Sequence, residues 1–428
     1  MSKVSNVNSS IRPGRVIQLH EDWVVVLLGF SIIALSLAGL NVPVPSYSWE
    51  NAQDLLDKVL KGSNLLKIFY QFGMTIIIAG IGAFLTNKSV KSLLMAFPVL
   101  YLLSVVALIL AGNNQLKQLN LEAVLFSLGI GLLVSNFIDL PEWFRSVLST
   151  ELFVKIGLVL LGTGVIFGDI LKAGFLGLIQ ALVVVVSVWY FAFWICKKLK
   201  LDEELGLMIS SAVSICGVSA AIATAGAIQG DSKKLSYVIS LVLITAIPMM
   251  ILMPYMAHYM GLSQEVTGAW LGGSIDTTGA VVASGSLVGE TALKISTIVK
   301  FSQNVLLGIA AFVISIYWTY TNNPQKEGIA EKPTLGVIWE RFPKFVLGFV
   351  AASLLFSFVL SKDSIQVVKE SMKSMQTLWF VLAFTSIGLE TKFSDLIRQS
   401  NRKPMYAFLI AQGFNIVVTL IVALVLFG

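Results

Sequence analysis

Apolar residues along this chain gather into runs of roughly 20, each long enough to cross a ~30 Å hydrocarbon core. Short polar or charged intervals separate them. The runs predict helices over about Trp23–Leu40, Phe69–Leu85, Leu93–Ala111, Ala123–Ile138, Phe153–Phe167, Phe175–Cys196, Leu205–Ile228, Leu235–Tyr259, Val266–Val288, Ile295–Trp318, Phe345–Leu360, Leu378–Leu389 and Met405–Phe427. The fifth and twelfth are short for a crossing. Asn51–Lys61 is amphipathic and reads as a surface helix, and the one sizeable connection, Thr319–Phe342, carries Pro324, Pro333 and mixed charge. The pattern predicts an all-α integral membrane protein with about 11–13 transmembrane helices.

Two of these runs are interrupted where unbroken hydrocarbon is expected. The first contains Ser210, Ser211, Ser214, Cys216, Gly217 and Ser219, and closes on Gln229-Gly230-Asp231. The second contains Gly272, Gly273, Ser274, Asp276, Thr277, Thr278, Gly279, Ser284, Gly285 and Ser286. Backbone that loosens at membrane depth persists only where it lines a cavity or is buried in protein. Carriers build substrate and ion sites from such discontinuous helices. A break at Gly217 would leave N–H groups of the following half-helix free, and these favour an anion. Close packing of helices through small residues would explain the first stretch without any ligand. For Asp276 the choice lies between a mid-membrane binding or coupling group and an interfacial helix N-cap, since an acid at mid-membrane costs at least ~2.5 kcal/mol.

Lys300 lies in the tenth run and shares a helical face with Gln303 and Asn304 through i, i+3, i+4 spacing. A polar stripe on an apolar helix is expected to face the protein interior. Lys300 would then pair Asp276, contact an anionic substrate, or snorkel to the interface.

A weak internal echo joins Gly157–Ile170 to Val381–Leu396. Each is a short apolar span, then a glycine, then a Phe-x-Asp-(Ile/Leu) tail. The two lie seven predicted spans apart, and an odd separation sets them in opposite orientations, as inverted repeats require.

Composition agrees with this reading. Hydrophobic residues make up 56% and charged residues 13% of the 428, against about 25% charged in soluble domains. The net charge of +6 resides at span ends. With the N-terminus in the cytoplasm, about 18 basic residues fall inside and about 11 outside, with Lys233 and Lys234 running against the bias. That distribution suits anionic lipid and insertion rather than nucleic acid. Cys196 and Cys216 with no nearby histidine have no metal spacing, and no phosphate-binding Gly-x-x-x-x-Gly-Lys motif occurs. An integral membrane enzyme is the more distant class, because His20 and His258 lie far from the interrupted runs.

At Ser214-Ile215-Cys216-Gly217-Val218-Ser219-Ala220, Gly273-Ser274-Ile275, Val281-Val282-Ala283-Ser284-Gly285, Leu160-Leu161-Gly162 to Ile170, and Ile387-Gly388-Leu389-Glu390-Thr391 to Pro404, the chain resembles the YeiH-like family of bacterial sulfate exporters. The resemblance covers about Leu121 to the C-terminus. It implies the broad superfamily of sodium/proton antiporters and bile-acid symporters, with a core of crossed discontinuous helices beside a scaffold. Lys300 matches a family lysine. The family often carries His and an acid where this chain has Asp276-Thr277, Gln at Ala280 and Arg at Gln303, and these departures bear on the substrate.

The sequence therefore predicts an inverted-repeat secondary carrier for a small anion (sulfate, sulfite or a sulfonate) in the bacterial inner membrane. Residues 1–120 form accessory or scaffold helices, and 121–428 the transporter region, with breaks near 210–228 and 270–286. Ser214, Cys216, Gly217, Val218, Ser219, Gly273, Ser274, Thr277, Thr278, Lys300, Gln303 and Asn304 are the candidate substrate ligands, and Asp276 the ion-coupling group. No cofactor is expected beyond a coupling H⁺ or Na⁺. Besides the anion, the expected partners are the lipid bilayer and a second copy in a homodimer. The rival reading is a cation/proton exchanger with Asp276 as ion ligand.

Overall fold

The computed structural model of the protein describes residues 20–118, 123–322, 336–391 and 402–428. Its longer helices are α1 Glu21–Leu37, α2 Gly62–Leu85, α3 Val90–Ala111, α4 Ala123–Phe137, α5 Thr150–Gly162, α6 Phe167–Lys198, α7 Glu203–Ser211, α8 Val218–Ile228, α9 Ser232–Tyr259, α10 Gln264–Ser274, α11 Thr278–Val288, α12 Glu290–Asn322, α13 Lys344–Leu354, α14 Lys362–Glu390 and α15 Lys403–Phe427. Apart from one isolated bridge, Trp49 with Asn113, no β-structure occurs among the described residues. Six helices (α2, α3, α6, α9, α12 and α15) are long and apolar enough to cross a membrane. The protein is an all-α integral membrane protein.

The seventh and ninth predicted spans are not crossings. Each folds into a hairpin that enters and leaves by the same face. For the first, the chain leaves α8 at Asp231, whose N–H donates to Glu204 Oε2 at the start of α7, and Lys234 Nζ lies 2.9 Å from the same carboxylate. For the second, Gly289 after α11 lies against Gln264 at the start of α10, where an added Cβ would be 2.7 Å from Gln264 Oε1. Length explains the fold-back. Eleven residues at 1.5 Å per residue reach about 16 Å, half of a ~30 Å core. The hairpins enter from opposite faces because α9 crosses between them.

The remaining eleven helices among the described residues, with α13 continued by a π-turn over Leu355–Val359, alternate in direction along the chain, so α1 begins on one face and α15 ends on the other. Folding the first hairpin back moves Lys233 and Lys234 to the face where α1 begins and where Lys197 and Lys198 lie. The two residues that ran against the basic bias now support it.

Two predicted boundaries also shift. α14 starts at Lys362, not near Leu378, because Lys362, Asp363, Lys369, Glu370 and Lys373 hide its first turns from a hydropathy window. α5 is only thirteen residues, but everything from Leu152 to Gly162 except Lys155 is buried, as expected of a helix apolar on all sides. Asn51–Lys61 is a short helical turn (Ala52–Asp54) continued by a π-turn over Leu55–Val59.

The helices fall into two groups. α1–α5, α13 and α14 form one; α6 to α12 with α15 form the other. α11 is the main seam: an added Cβ on Gly279 would meet Val154 of α5 at 3.5 Å and Ile387 of α14 at 3.4 Å. The two echoing segments lie side by side on α5 and α14 and run antiparallel, with Gly157 against the Phe380 ring and Thr150 Oγ1 donating to Glu390 Oε1 at 3.0 Å. The tail at 393–396 and the connection at 324–333 lie outside the described residues.

Candidate functional site

The two hairpin tips meet in the middle of the second helical group. At the first tip the α7 helix widens into a π-turn over Ala212–Cys216 and stops at Gly217, which has φ +59° and ψ −114°. A side chain there would be strained and would also collide, with an added Cβ 2.7 Å from Val242 Cγ1 and 3.0 Å from Asp276 Cβ. Gly217 thus lets the first tip touch the second. At the second tip Ile275 and Thr277 are extended on either side of Asp276, and Thr277 caps α11 by accepting the Ala280 N–H at 3.3 Å. Asp276 stands one residue before that cap at 2% exposure, so the interfacial N-cap alternative does not hold.

The carbonyl ends of α7 and α10 are capped by side chains from neighbouring helices. Lys300 Nζ donates to Ile215 O at 2.9 Å and to Gln303 Oε1 at 3.0 Å. Gln303 Nε2 donates to Gly273 O at 3.0 Å and to Ser214 O at 3.4 Å. Asn415 Nδ2 bridges both hairpins, donating to Val213 O at 3.1 Å and Ser274 O at 3.2 Å. Gln412 Nε2 adds a bond to Ser274 O at 2.8 Å, and Gln180 Nε2 one to Ala269 O at 2.7 Å. An unmet buried carbonyl costs about 1–3 kcal/mol, so these donors hold the broken backbone at depth. Lys300, at 1% exposure, does not snorkel. It is bonded to the Ile215 carbonyl and the Gln303 amide rather than ion-paired with Asp276.

The amino ends of α8 and α11 are placed differently. Their first N–H groups have no acceptor within the helix. Both open onto one cleft of about 270 Å³ lined by Cys216, Ser219, Thr278 and Asn304, with Glu151, Lys155 and Asp22 at its mouth. Asn304 Nδ2 donates to Thr278 Oγ1 at 3.4 Å. Val218 opens α8, and Ser219 beside it is exposed to the cleft. Asp276 Oδ2, Asn304 Oδ1, Gln412 Oε1 and Ser274 Oγ are buried without a protein hydrogen-bond partner. Lys155 holds the mouth together, 3.0 Å from Asp22, 3.2 Å from Glu21 and 3.7 Å from Glu151.

All thirteen residues singled out in the sequence gather at this crossing, though in different roles. Cys216, Ser219, Thr278 and Asn304 line its open side, Val218 and Thr277 adjoin them in the chain, and Gly217 is buried where the tips touch. Ser214, Gly273 and Ser274 supply capped carbonyls, and Lys300 and Gln303 are donors to them. Gln180, Gln412, Asn415 and Thr419 were missed. Gln412, Asn415 and Thr419 repeat at i, i+3, i+7 in an apolar run, the same signal that marked Lys300, Gln303 and Asn304.

Comparison with known proteins agrees with the sequence resemblance. The pattern of the family described as conserved hypothetical protein 698 matches residues 95–407. A UPF0324 membrane protein of Rhodopirellula baltica is 40% identical over 369 residues, 83% of this chain and 67% of that one. One from Nitratidesulfovibrio vulgaris is 38% identical over 361 residues, 81% of this chain and 62% of that one. A third, from Nitrosomonas europaea, is 26% identical over 90% of this chain and 91% of its own length. The chain spans about two thirds of the first two relatives. No solved structure matches. The YeiH-like resemblance and these relatives coincide, and the chain belongs to the UPF0324 family of membrane proteins.

Proposed function

We propose that the protein is a secondary active carrier for a small anion of the sulfate, sulfite or sulfonate class. The observation that carries this reading is the asymmetry of the hairpin tips. Their carbonyl ends are closed by Lys300, Gln303, Gln412 and Asn415, whereas both amino ends face one cleft. Two helix amino termini aimed at a shared space place partial positive charge and N–H donors where an oxyanion binds. Ser219, Thr278 and Asn304 add side-chain polar groups around it, and Lys300 sets the local charge without occupying the cleft. The sulfur oxyanion class comes from the family resemblance; the helix termini favour an anion without naming it.

Asp276 carries the coupling ion in this scheme. Its Oδ2 is buried without a protein hydrogen-bond partner, as are the amide oxygens of Gln412 and Asn304, and hard oxygen atoms of this kind suit Na⁺ or a proton. The acidic mouth, with Asp22 and Glu151 around Lys155, also favours cations. That observation supports the second reading, a cation/proton exchanger that carries no anion. The basic bias of the α1 face supports an orientation in which that face, and with it the cleft, lies on the cytoplasmic side of a bacterial inner membrane.

The test is thermal unfolding of detergent-purified protein with sulfate, sulfite, thiosulfate, taurine or small carboxylates, each with Na⁺ or K⁺ at two pH values. A ligand that binds the folded form at 100 times its Kd stabilises it by about 2.7 kcal/mol. A saturable shift from one anion supports the carrier. A shift that follows Na⁺ or pH alone and vanishes in Asp276→Asn favours the exchanger instead.

A further inference from the structure

A second cavity lies at the other end of α11. It measures about 560 Å³ and opens on the face opposite to the cleft, between the end of α11, the start of α12, the end of α5 and the first half of α14. Its rim carries Lys294, Lys369 and Lys373, with Gln376 and Thr377 one turn deeper and Phe380 and Phe384 at its floor. One face of α14 therefore passes from ammonium groups, through an amide and a hydroxyl, to phenyl rings at helical spacing. Lys369 and Lys373 are i, i+4 neighbours of like charge, an arrangement that disfavours the helix by a few tenths of a kcal/mol when nothing lies between them.

Glu290 is the only carboxylate on that wall among the described residues. It lies 2.9 Å from Lys294 and 3.4 Å from Lys373. Glu370 borders a neighbouring depression together with Lys373. Three ammonium groups thus face one carboxylate, and Lys369 has no ion pair among the described residues. The Glu290–Lys373 pair also joins the two helical groups, α12 to α14. Its side chains are 60% and 63% exposed, so the pair is weak and open to exchange.

We propose that this cavity is a second anion-binding site, in which Lys294, Lys369 and Lys373 hold a small oxyanion against the Gln376 amide and the Thr377 hydroxyl. The oxyanion takes the place of the Glu290 carboxylate on Lys373 and so releases the bridge between the helical groups. The binding site rests on the geometry of this cavity alone. Its place as the far mouth of a transport path rests on the carrier reading.

A cysteine placed in the cavity reads its potential directly. Ser286→Cys, on the α11 wall, is reacted in detergent-purified full-length protein with anionic sulfonatoethyl or cationic trimethylammonioethyl methanethiosulfonate, with and without sulfate. Peptide mass spectrometry separates its modification from that of Cys216 in the opposite cleft. The anionic reagent is expected to react roughly tenfold faster, in keeping with the several-kT potentials of focused charge clusters. Sulfate should slow it, and Lys369→Gln with Lys373→Gln should abolish both effects. Equal rates for the two reagents, or a preference that survives the double substitution, overturns the vestibule. Sulfate protection at Cys216 but not at Ser286→Cys overturns it while leaving the carrier standing. Protection only at Ser286→Cys supports the vestibule and removes the anion from the central cleft.

Discussion

At the residue scale, Gly217 and Lys300 make opposite demands on the same crossing. Gly217 supplies an absence: its φ of +59° and its contact with Asp276 leave no room for a side chain. Gly217→Ala is expected to lower stability by about 1–3 kcal/mol through strain and displacement of the second tip. Thermal unfolding in detergent measures the loss, and an unchanged melting temperature would show that the tips are not pressed together. Lys300 supplies a donor to the Ile215 carbonyl and a buried positive charge. Lys300→Met removes both, and because burying an ammonium is itself costly the two effects largely offset. The expected result is a fold within about 2 kcal/mol of the parent that no longer responds to anion. A parent-like anion shift in Lys300→Met would remove this lysine from the binding mechanism.

At the element scale, the hairpins depend on donors from outside their own sequence. Asn415 is the clearest case, since one side-chain amide reaches Val213 on the first hairpin and Ser274 on the second. Asn415→Leu takes this donor from the Val213 carbonyl, a cost of about 1–3 kcal/mol at most, and leaves the Ser274 carbonyl to Gln412 alone. Amide exchange at both tips, followed by peptide mass spectrometry, should rise together. A rise at one tip alone would show that Asn415 does not couple them. Much of this site was legible in the sequence because polar residues inside apolar runs are costly and therefore point inward. The Lys300, Gln303 and Asn304 stripe was read on that ground. The Gln412, Asn415 and Thr419 stripe carried the same signal, but no neighbouring acid or glycine drew attention to it. The hairpins were not legible: two short half-helices with a polar tip have the same length and mean hydropathy as one interrupted crossing, and a hydropathy window has no direction. The one sequence clue was the pair Lys233 and Lys234, which contradicted the basic bias until the first hairpin was folded back.

At the scale of the whole molecule, the fold-back fixes which loops share a face, and that can be tested without any knowledge of the substrate. The chain leaves α6 at Lys198 and enters α9 at Ser232, and with a hairpin between them both ends lie on the α1 face. A straight interrupted crossing would put them on opposite faces. Met260, after α9, lies on the far face in the hairpin topology. All three side chains are exposed. Lys198→Cys and Ser232→Cys should therefore label with a membrane-impermeant maleimide only when the α1 face is accessible, and Met260→Cys only from the other face. If Ser232→Cys labels together with Met260→Cys, the first hairpin is a crossing and the shared cleft at its tip loses its basis. If the hairpin topology holds, Cys216 gives the next result in the same vesicles. It borders the cleft whose mouth is formed by Asp22, Glu151 and Lys155, all on the α1 face. In this conformation a small charged thiol reagent should reach Cys216 from that face alone. Alternating access requires that a second state reverse this, and an anion that drives the exchange would shift the sidedness of Cys216 in proportion to its preference for that state.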